Sequence, residues 1–242
     1  MKINITIPVY NEETILEKNV LCLAEFCFKN ITDEWFIIIS NNGSTDKTAK
    51  IAEYLSNKDP KIKHLKLNEK GKGLAIKTAW ESYPADFYIF MDADLATDLE
   101  ALPELVNELK LGNDLVIGSR YLKESRAKRT IGRLLISKIY RAIANAFLKI
   151  NISDLPCGFK GANQKIMTKI LPKVKNLEWA FDTELIFWSI KNNKKIKEMP
   201  VKWQEMKAGQ KNLTNLAVIS WNYFKTLDEI KKRYTIQHRN DI

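Results

Sequence analysis

The sequence predicts an α/β domain built on a mainly parallel sheet with helices on both faces. Three observations carry this. Short apolar runs recur at residues 3–7, 35–39, 62–67, 87–91 and 115–117. Amphipathic stretches of helical period lie between them, near 13–28, 46–56, 74–82 and 98–109. Short β-rich runs with helices between them imply a mainly parallel sheet covered on both faces. In such sheets a ligand sits beyond the carboxyl ends of the strands, so the loop after each run is where function is sought.

Each element has its own punctuation. Pro8 lacks a backbone donor and is expected to end the ladder of the first strand, with Asn11 capping the helix that follows. After the second strand, Gly43 permits a tight turn and Ser44 is placed to cap the next helix. The third strand leads into Lys70-Gly71-Lys72-Gly73, glycines and lysines before a helix N-terminus, which suits a phosphate. Thr97 with Glu100 three residues on forms a capping box for the helix near 98–109. Beyond Ser119 the chain turns basic and helical to Ile150, and a loop follows at 154–159. Helices are expected near 165–171 and 182–192, a strand near 196–201, a polar loop at 204–212 and a last helix from 213 to about 232.

Composition narrows the function. The 242 residues are 45% hydrophobic and 28% charged, an ordinary globular balance large enough to bury its own core. Thirty-nine Lys and Arg against 29 Asp and Glu leave a net charge of +10, which favours anionic partners. The three cysteines lack metal spacing, and an odd number fits a reducing compartment. Only two histidines are present, which disfavours a His-rich zinc site or a Ser–His–Asp hydrolase. The start of the chain does not read as a signal peptide, and no run of about 20 apolar residues occurs. The expected location is therefore cytoplasmic. A nucleic-acid module would also be basic, but the aromatics lie mostly in apolar runs and no binding motif is found, so no nucleic acid is expected.

The chemistry-bearing residues stand at the strand ends. Asp92-Ala93-Asp94 follows the fourth run, and in extended backbone the two carboxylates would point the same way. Carboxylates that close repel unless a cation joins them, and a hard ion such as Mg²⁺ or Mn²⁺ shared with a diphosphate would do so. By itself the pattern also fits two solvated aspartates. Tyr10, Asn11 and Glu12 end the first strand, Asn41 and Asn42 the second, the Lys72 loop follows the third, and Gly118-Ser119-Arg120 closes the fifth. All converge on one edge of one sheet.

Taken together, Pro8-Val-Tyr-Asn-Glu12, Asn42-Gly-Ser-Thr-Asp46, Lys70-Gly-Lys-Gly73 and Asp92-Ala-Asp94 resemble the family 2 glycosyltransferases of the GT-A (Rossmann-like) fold. Gly118-Ser-Arg120, Cys157-Gly-Phe159 and Trp179-Ala-Phe-Asp182-Thr-Glu184 are similar to the branch acting on polyprenyl phosphates, the dolichyl-phosphate glucosyl- and mannosyltransferases. The resemblance implies a glycosyltransferase domain over residues 1–212, with a nucleotide-sugar half at 1–119 and an acceptor half at 120–212. An amphipathic C-terminal helix and tail occupy 213–242. It further implies that Pro8, Tyr10, Glu12 and Asn42 line the base and ribose, and that Lys72 and Ala93 belong to the donor site. Asp92 and Asp94 would hold Mg²⁺ or Mn²⁺, Asp94 being catalytic through the metal, and Asp182 would position or stabilise the reacting groups. Arg120, Arg133 and Ser137 would bind the lipid phosphate, a task suited to guanidinium forks.

Two departures bear on the donor. Asn41 and Asn42 stand where the family has Asp, and Ala96 stands where the mannosyltransferases often have Gln. With Cys157-Gly-Phe-Lys160 they favour UDP-glucose over GDP-mannose. The expected reaction is inverting transfer of glucose to a polyprenyl (dolichyl) phosphate. GDP-mannose transfer, or extension of a cell-surface polysaccharide or glycolipid, are the alternatives. Processive polysaccharide synthases carry Gln-x-x-Arg-Trp, which is absent here. Arg133, Ser137, Arg141 and Asn145 form one stripe of a helix, and Ile131, Leu135, Ile139, Ala142, Ala146 and Ile150 the opposite face. Such a helix can rest on an anionic membrane surface, flanked here by Arg129, Lys138 and Lys149 and joined by Trp221, Tyr223 and Phe224 of the last helix. A helix packed on the sheet explains the same wheel.

Overall fold

A computed structural model describes the backbone of residues 1–128, 131–204 and 216–239, and the side chains of these except 128, 131–136, 216–224 and 237–239. Its centre is a seven-stranded sheet in the order β3-β2-β1-β4-β7-β5-β8. The strands are β1 (Lys2–Val9), β2 (Glu34–Asn42), β3 (Ile62–Leu67), β4 (Phe87–Met91), β5 (Leu115–Ser119), β7 (Phe159–Asn163) and β8 (Ile196–Pro200). β6 (Arg126–Lys128) and β9 (Lys202–Gln204) pair separately in a small parallel sheet. The helices are α1 (Leu16–Asn30), α2 (Thr48–Lys58), α3 (Lys72–Ser82), α4 (Ala101–Lys110), α5 (Ile131–Leu148), α6 (Gln164–Lys169), α7 (Phe181–Lys191) and α8 (Leu216–Arg239).

Two apolar layers cover the sheet. Ile3, Ile5 and Ile7 of β1 with Ile37 and Ile39 of β2 meet Leu16, Val20 and Leu23 of α1 and Leu102 and Leu105 of α4. On the other face Phe36, Ile38, Tyr88, Phe90 and Ile117 meet Ile76 and Trp80 of α3, Phe181 and Leu185 of α7, and Leu227 and Ile230 of α8. Glu184, fully buried in α7, ties α8 down through a 2.9 Å ion pair with Arg233. β1 is flanked by β2 and β4, so the chain reverses its direction of growth there, and the crevice opens beyond these strands' carboxyl ends.

Several local expectations are corrected. Pro8 does not end β1's ladder toward β2, where the register runs on through Pro8 with Ser40 and Val9 with Asn41; only the pairing with β4 stops earlier, at Thr6. Neither Asn11 nor Ser44 caps a helix. Asn11 takes φ 55°, donates its N–H to Ser44 Oγ at 3.0 Å and accepts from Thr45 N at 2.8 Å, stapling the first two strand-end loops together. Asp46 does the terminal work instead, accepting from Thr48 N and Glu13 N. The Thr97–Glu100 capping box is absent, because Thr97 bridges to Trp203 and Asp98 accepts the Glu100 N–H. β7 lies between the loop read at 154–159 and the helix read near 165–171, where no strand was expected. It runs antiparallel between β4 and β5, and Gly161 lets α4 pack closely there, since a Cβ would stand 2.3 Å from the Leu105 side chain of α4. The boundary placed at residue 212 and the start of the last helix at 213 fall outside the described residues.

Candidate active site

The site is assembled from strand ends. β4 finishes at Met91, and Asp92–Asp94 form a turn closed by Leu95 N to Asp92 O, not the extended segment expected. Asp94 Oδ1 accepts from Ala96 N at 3.1 Å, and the Ala93 carbonyl accepts from Asn19 Nδ2, which anchors the turn to α1. Burial, and then the nearby Asp92 charge, push the Asp94 carboxyl above its usual range. That repulsion is what a cation would relieve. Among the described residues no three metal-ligating side chains cluster, so the protein offers two carboxylates and leaves the other positions open. This donor set fits Mg²⁺ or Mn²⁺ completed by diphosphate oxygens.

Lys72 faces the same turn. Its ammonium lies 2.7 Å from Asp92 Oδ1, with the Phe90 and Trp179 rings at 5.7 and 5.8 Å. Burial opposes the charge, but Asp92 and Asp182 outweigh it and hold Lys72 above an ordinary lysine. The neighbouring glycines serve packing rather than a phosphate cradle: a Cβ on Gly71 would meet Leu177 O at 2.5 Å, and on Gly73 Phe181 Cβ at 2.6 Å. Gly71 N donates to Asn42 Oδ1 at 2.6 Å and Ser44 N to Asn41 Oδ1 at 3.1 Å. Both asparagines thus use a carbonyl oxygen for a loop contact that a carboxylate could also make. Tyr10 stands at the rim, with the Lys70 ammonium 4.3 Å over its ring, and the Glu12 N–H donates to Thr48 Oγ1.

β7 gives the Cys157-Gly-Phe-Lys160 segment contacts that the sequence did not advertise. Being antiparallel, it starts at the edge where β4 ends, so Gly158 meets Asp92 directly. A Cβ on Gly158 would lie 1.9 Å from Asp92 Oδ2. Lys160, fully buried, pairs with Asp182 at 2.7 Å and also donates to the Cys157 carbonyl, with its ammonium 5.4 Å over Phe90. Burial pushes the Cys157 thiol up to about 11, so it is no nucleophile at neutral pH. Gly158→Ala tests the close approach. The overlap is with a side chain that can swing away, so the fold should persist with melting within a few degrees of wild type. Asp92 would be displaced, and misplacement on this scale costs about 10²-fold in turnover. Kinetics over a Mn²⁺ titration, beside thermal melting, read this; unchanged turnover would mean that Asp92's position is not critical.

The acceptor side is partly redrawn. Arg120 was expected to grip a phosphate, but its fork is filled by fully buried Asp154, through Nε at 2.6 Å and Nη2 at 2.8 Å, while its guanidinium stacks 5.4 Å from the Trp203 ring. Two of its five N–H donors are thereby committed to Asp154, so this edge of the guanidinium organises the loops. Ser137 bonds the Tyr121 hydroxyl, and Arg141 lies 4.9 Å over the Tyr121 ring while donating to Ser153 O. The Arg133 side chain lies outside the described residues, as do those of Trp221, Tyr223 and Phe224, and Arg129 altogether. On α5, Ile139, Ala142 and Ala146 are exposed beside Lys138 and Lys149, whereas Ile150 is buried.

The profile described as "Glycosyl transferase family 2" matches residues 4–171. The chain belongs to this family. It is 31% identical over 219 residues to the dolichyl-phosphate beta-glucosyltransferase of Dictyostelium discoideum, covering 84% of this chain and 67% of that one. It is 29% identical over 207 residues to glycosyltransferase AglD of Haloferax volcanii, again over 84% of this chain but spanning only a third of that protein, 33%. The dolichol-phosphate mannosyltransferase of Pyrococcus furiosus is 33% identical over 139 residues, 57% of this chain and 39% of that enzyme. In architecture the chain is similar to glucosyl-3-phosphoglycerate synthase of Mycobacterium tuberculosis, crystallised with Mn²⁺ and uridine-diphosphate-glucose. The TM-score is 0.70 at 18% identity, over 95% of this chain and 78% of that one. The GT-A fold expected from the motifs is the one observed.

Proposed function

We propose that this family 2 protein transfers glucose from UDP-glucose to a polyprenyl phosphate, with inversion, while resting on the cytoplasmic face of a membrane. The observation that carries the reading is the convergence of Asp92, Asp94, Lys72 and Asp182 at the strand reversal beside β1. The dolichyl-phosphate glucosyltransferase named among the relatives supports the acceptor class. In this reading Pro8, Tyr10, Glu12 and Asn42 hold the nucleoside, and Asp92 and Asp94 hold the divalent ion. That ion, when bound, would stabilise the charge of the departing diphosphate. A lipid phosphate is already an anionic nucleophile, so the protein's task is alignment rather than proton abstraction. Asp182 suits this: one of its oxygens is committed to Lys160, which holds its negative charge in a fixed place. Ser137 and Arg141 beside Tyr121, together with Arg133, are the groups proposed for the acceptor phosphate.

Among the described residues no helix is long and apolar enough to cross a membrane. A long-chain acceptor would then be met at the bilayer surface, and exposed Ile139, Ala142 and Ala146 between Lys138 and Lys149 give α5 a face suited to an anionic one. The deciding assay offers the purified protein radiolabelled UDP-glucose or GDP-mannose with a polyprenyl phosphate and Mn²⁺. Label from UDP-glucose should enter the lipid phase at least about tenfold faster, since even a one-methylene mismatch in a pocket is worth about 1–3 kcal/mol. Faster transfer from GDP-mannose reverses the donor assignment, and transfer only to a sugar hydroxyl acceptor reverses the acceptor.

A further inference from the structure

The geometry points to Lys72 as a resident cation that occupies Asp92 until a nucleoside diphosphate arrives, so that the divalent ion and the nucleotide bind as a coupled pair and neither binds well alone. This rests on the metal and donor assignment just proposed and concerns the order in which that site fills.

Asp92 already faces a cation. One carboxylate oxygen faces the Lys72 ammonium at 2.7 Å, and the other lies where any side chain on residue 158 would stand, 1.9 Å from an added Cβ. The carboxylate therefore lies between Lys72 and the Gly158 backbone, while the Asp92 side chain, 44% exposed, stays open to an arriving ion. The Lys72 side chain is only 13% exposed, and apart from Asp92 its described neighbours are the Phe90 and Trp179 rings and the charge of Asp182, itself bonded to Lys160. A divalent ion arriving alone must take Asp92 from an ammonium that then has no anion to receive it. Lys72 is the buried member of the pair, and leaving its charge uncompensated is costly. A diphosphate changes this balance, because its oxygens can accept the displaced ammonium while they complete the ion's coordination shell. Coupling between two ligands is reciprocal, so the same lysine makes nucleotide binding depend on the ion.

Mn²⁺ binding followed by electron paramagnetic resonance, with and without UDP, tests this without recourse to turnover. In wild type, UDP should tighten Mn²⁺ binding by a factor within the usual range for coupled ligands, roughly 5–150-fold. Lys72→Met should bind Mn²⁺ alone about tenfold more tightly, and its UDP-dependent gain should shrink by at least a comparable factor; Lys72→Gln serves equally if the Met variant folds poorly. Removing any positive charge favours a cation somewhat, so Lys70→Met is the control: this lysine lies on the same loop but over Tyr10, away from Asp92. A gain in Lys72→Met no larger than in Lys70→Met, or an undiminished UDP effect, overturns the inference while leaving the metal site standing. Failure of wild type to bind Mn²⁺ even with UDP overturns both.

Discussion

Replacing Asp94 by Asn should lower turnover by about 10³-fold, a loss of roughly 4 kcal/mol of transition-state stabilisation. The reason lies in the turn after β4. Asp94 keeps its backbone contact to Ala96 N through Oδ1, and the amide of Asn can preserve that bond. What it cannot preserve is the charge, which burial and Asp92 already make expensive in the absence of a cation. The variant should therefore melt at or above the wild-type temperature while losing metal-dependent transfer. Steady-state rates over a Mn²⁺ series, with wild type in EDTA as the reference, decide it. Full activity of the variant, or of wild type in EDTA, removes the metal from Asp94.

Lys160→Met should have the largest effect on stability. Lys160 and Asp182 are both almost completely buried, and they form a 2.7 Å pair beneath Phe90. Methionine matches the volume of the lysine stem but leaves the Asp182 carboxylate without its cation. Breaking such a pair from one side costs about 3–5 kcal/mol. For a chain of this size that lowers the melting temperature by roughly 10 °C. The double variant Lys160→Met with Asp182→Asn should recover much of the loss, because no buried charge is then stranded. A single variant as stable as wild type would mean that Asp182 finds another partner or becomes protonated. Turnover separates the two roles: if Asp182 matters only for folding, the recovered double variant should also recover activity.

The strand-end motifs were legible because each is local. Asp92-Ala-Asp94, the Gly43 turn and the loop before α3 are each written in adjacent residues, and successive β–α units necessarily bring them to one sheet edge. The apolar runs could be read as strands because both faces of the sheet are covered, and the ends of β3 and β4 fell where expected. The caps misled for a physical reason. Asn11 and Ser44 have the side chains that helix termini favour, but the same oxygens serve as well to join two loops, and only the proximity of the loops decides between those uses.

The sequence alone determined the fold class, the family and the edge of the sheet where chemistry belongs, since hydrophobic period and short motifs act over a few residues. The tertiary structure decided the partners. β7 was hidden because Gly161 and Ala162 lack bulk: Gly161 faces α4, where a Cβ would meet Leu105, and Ala162 faces the opposite apolar layer. In the sequence Lys160 is only the last residue of the Cys157-Gly-Phe-Lys160 motif, until β7 carries it under α7 to Asp182, 22 positions away. Arg120 reads as a phosphate grip until Asp154, 34 positions on, fills its fork. Charges separated by tens of residues pair only where the backbone brings them within about 3 Å and excludes water, and that depends on the packing of the whole chain rather than on any local stretch of it.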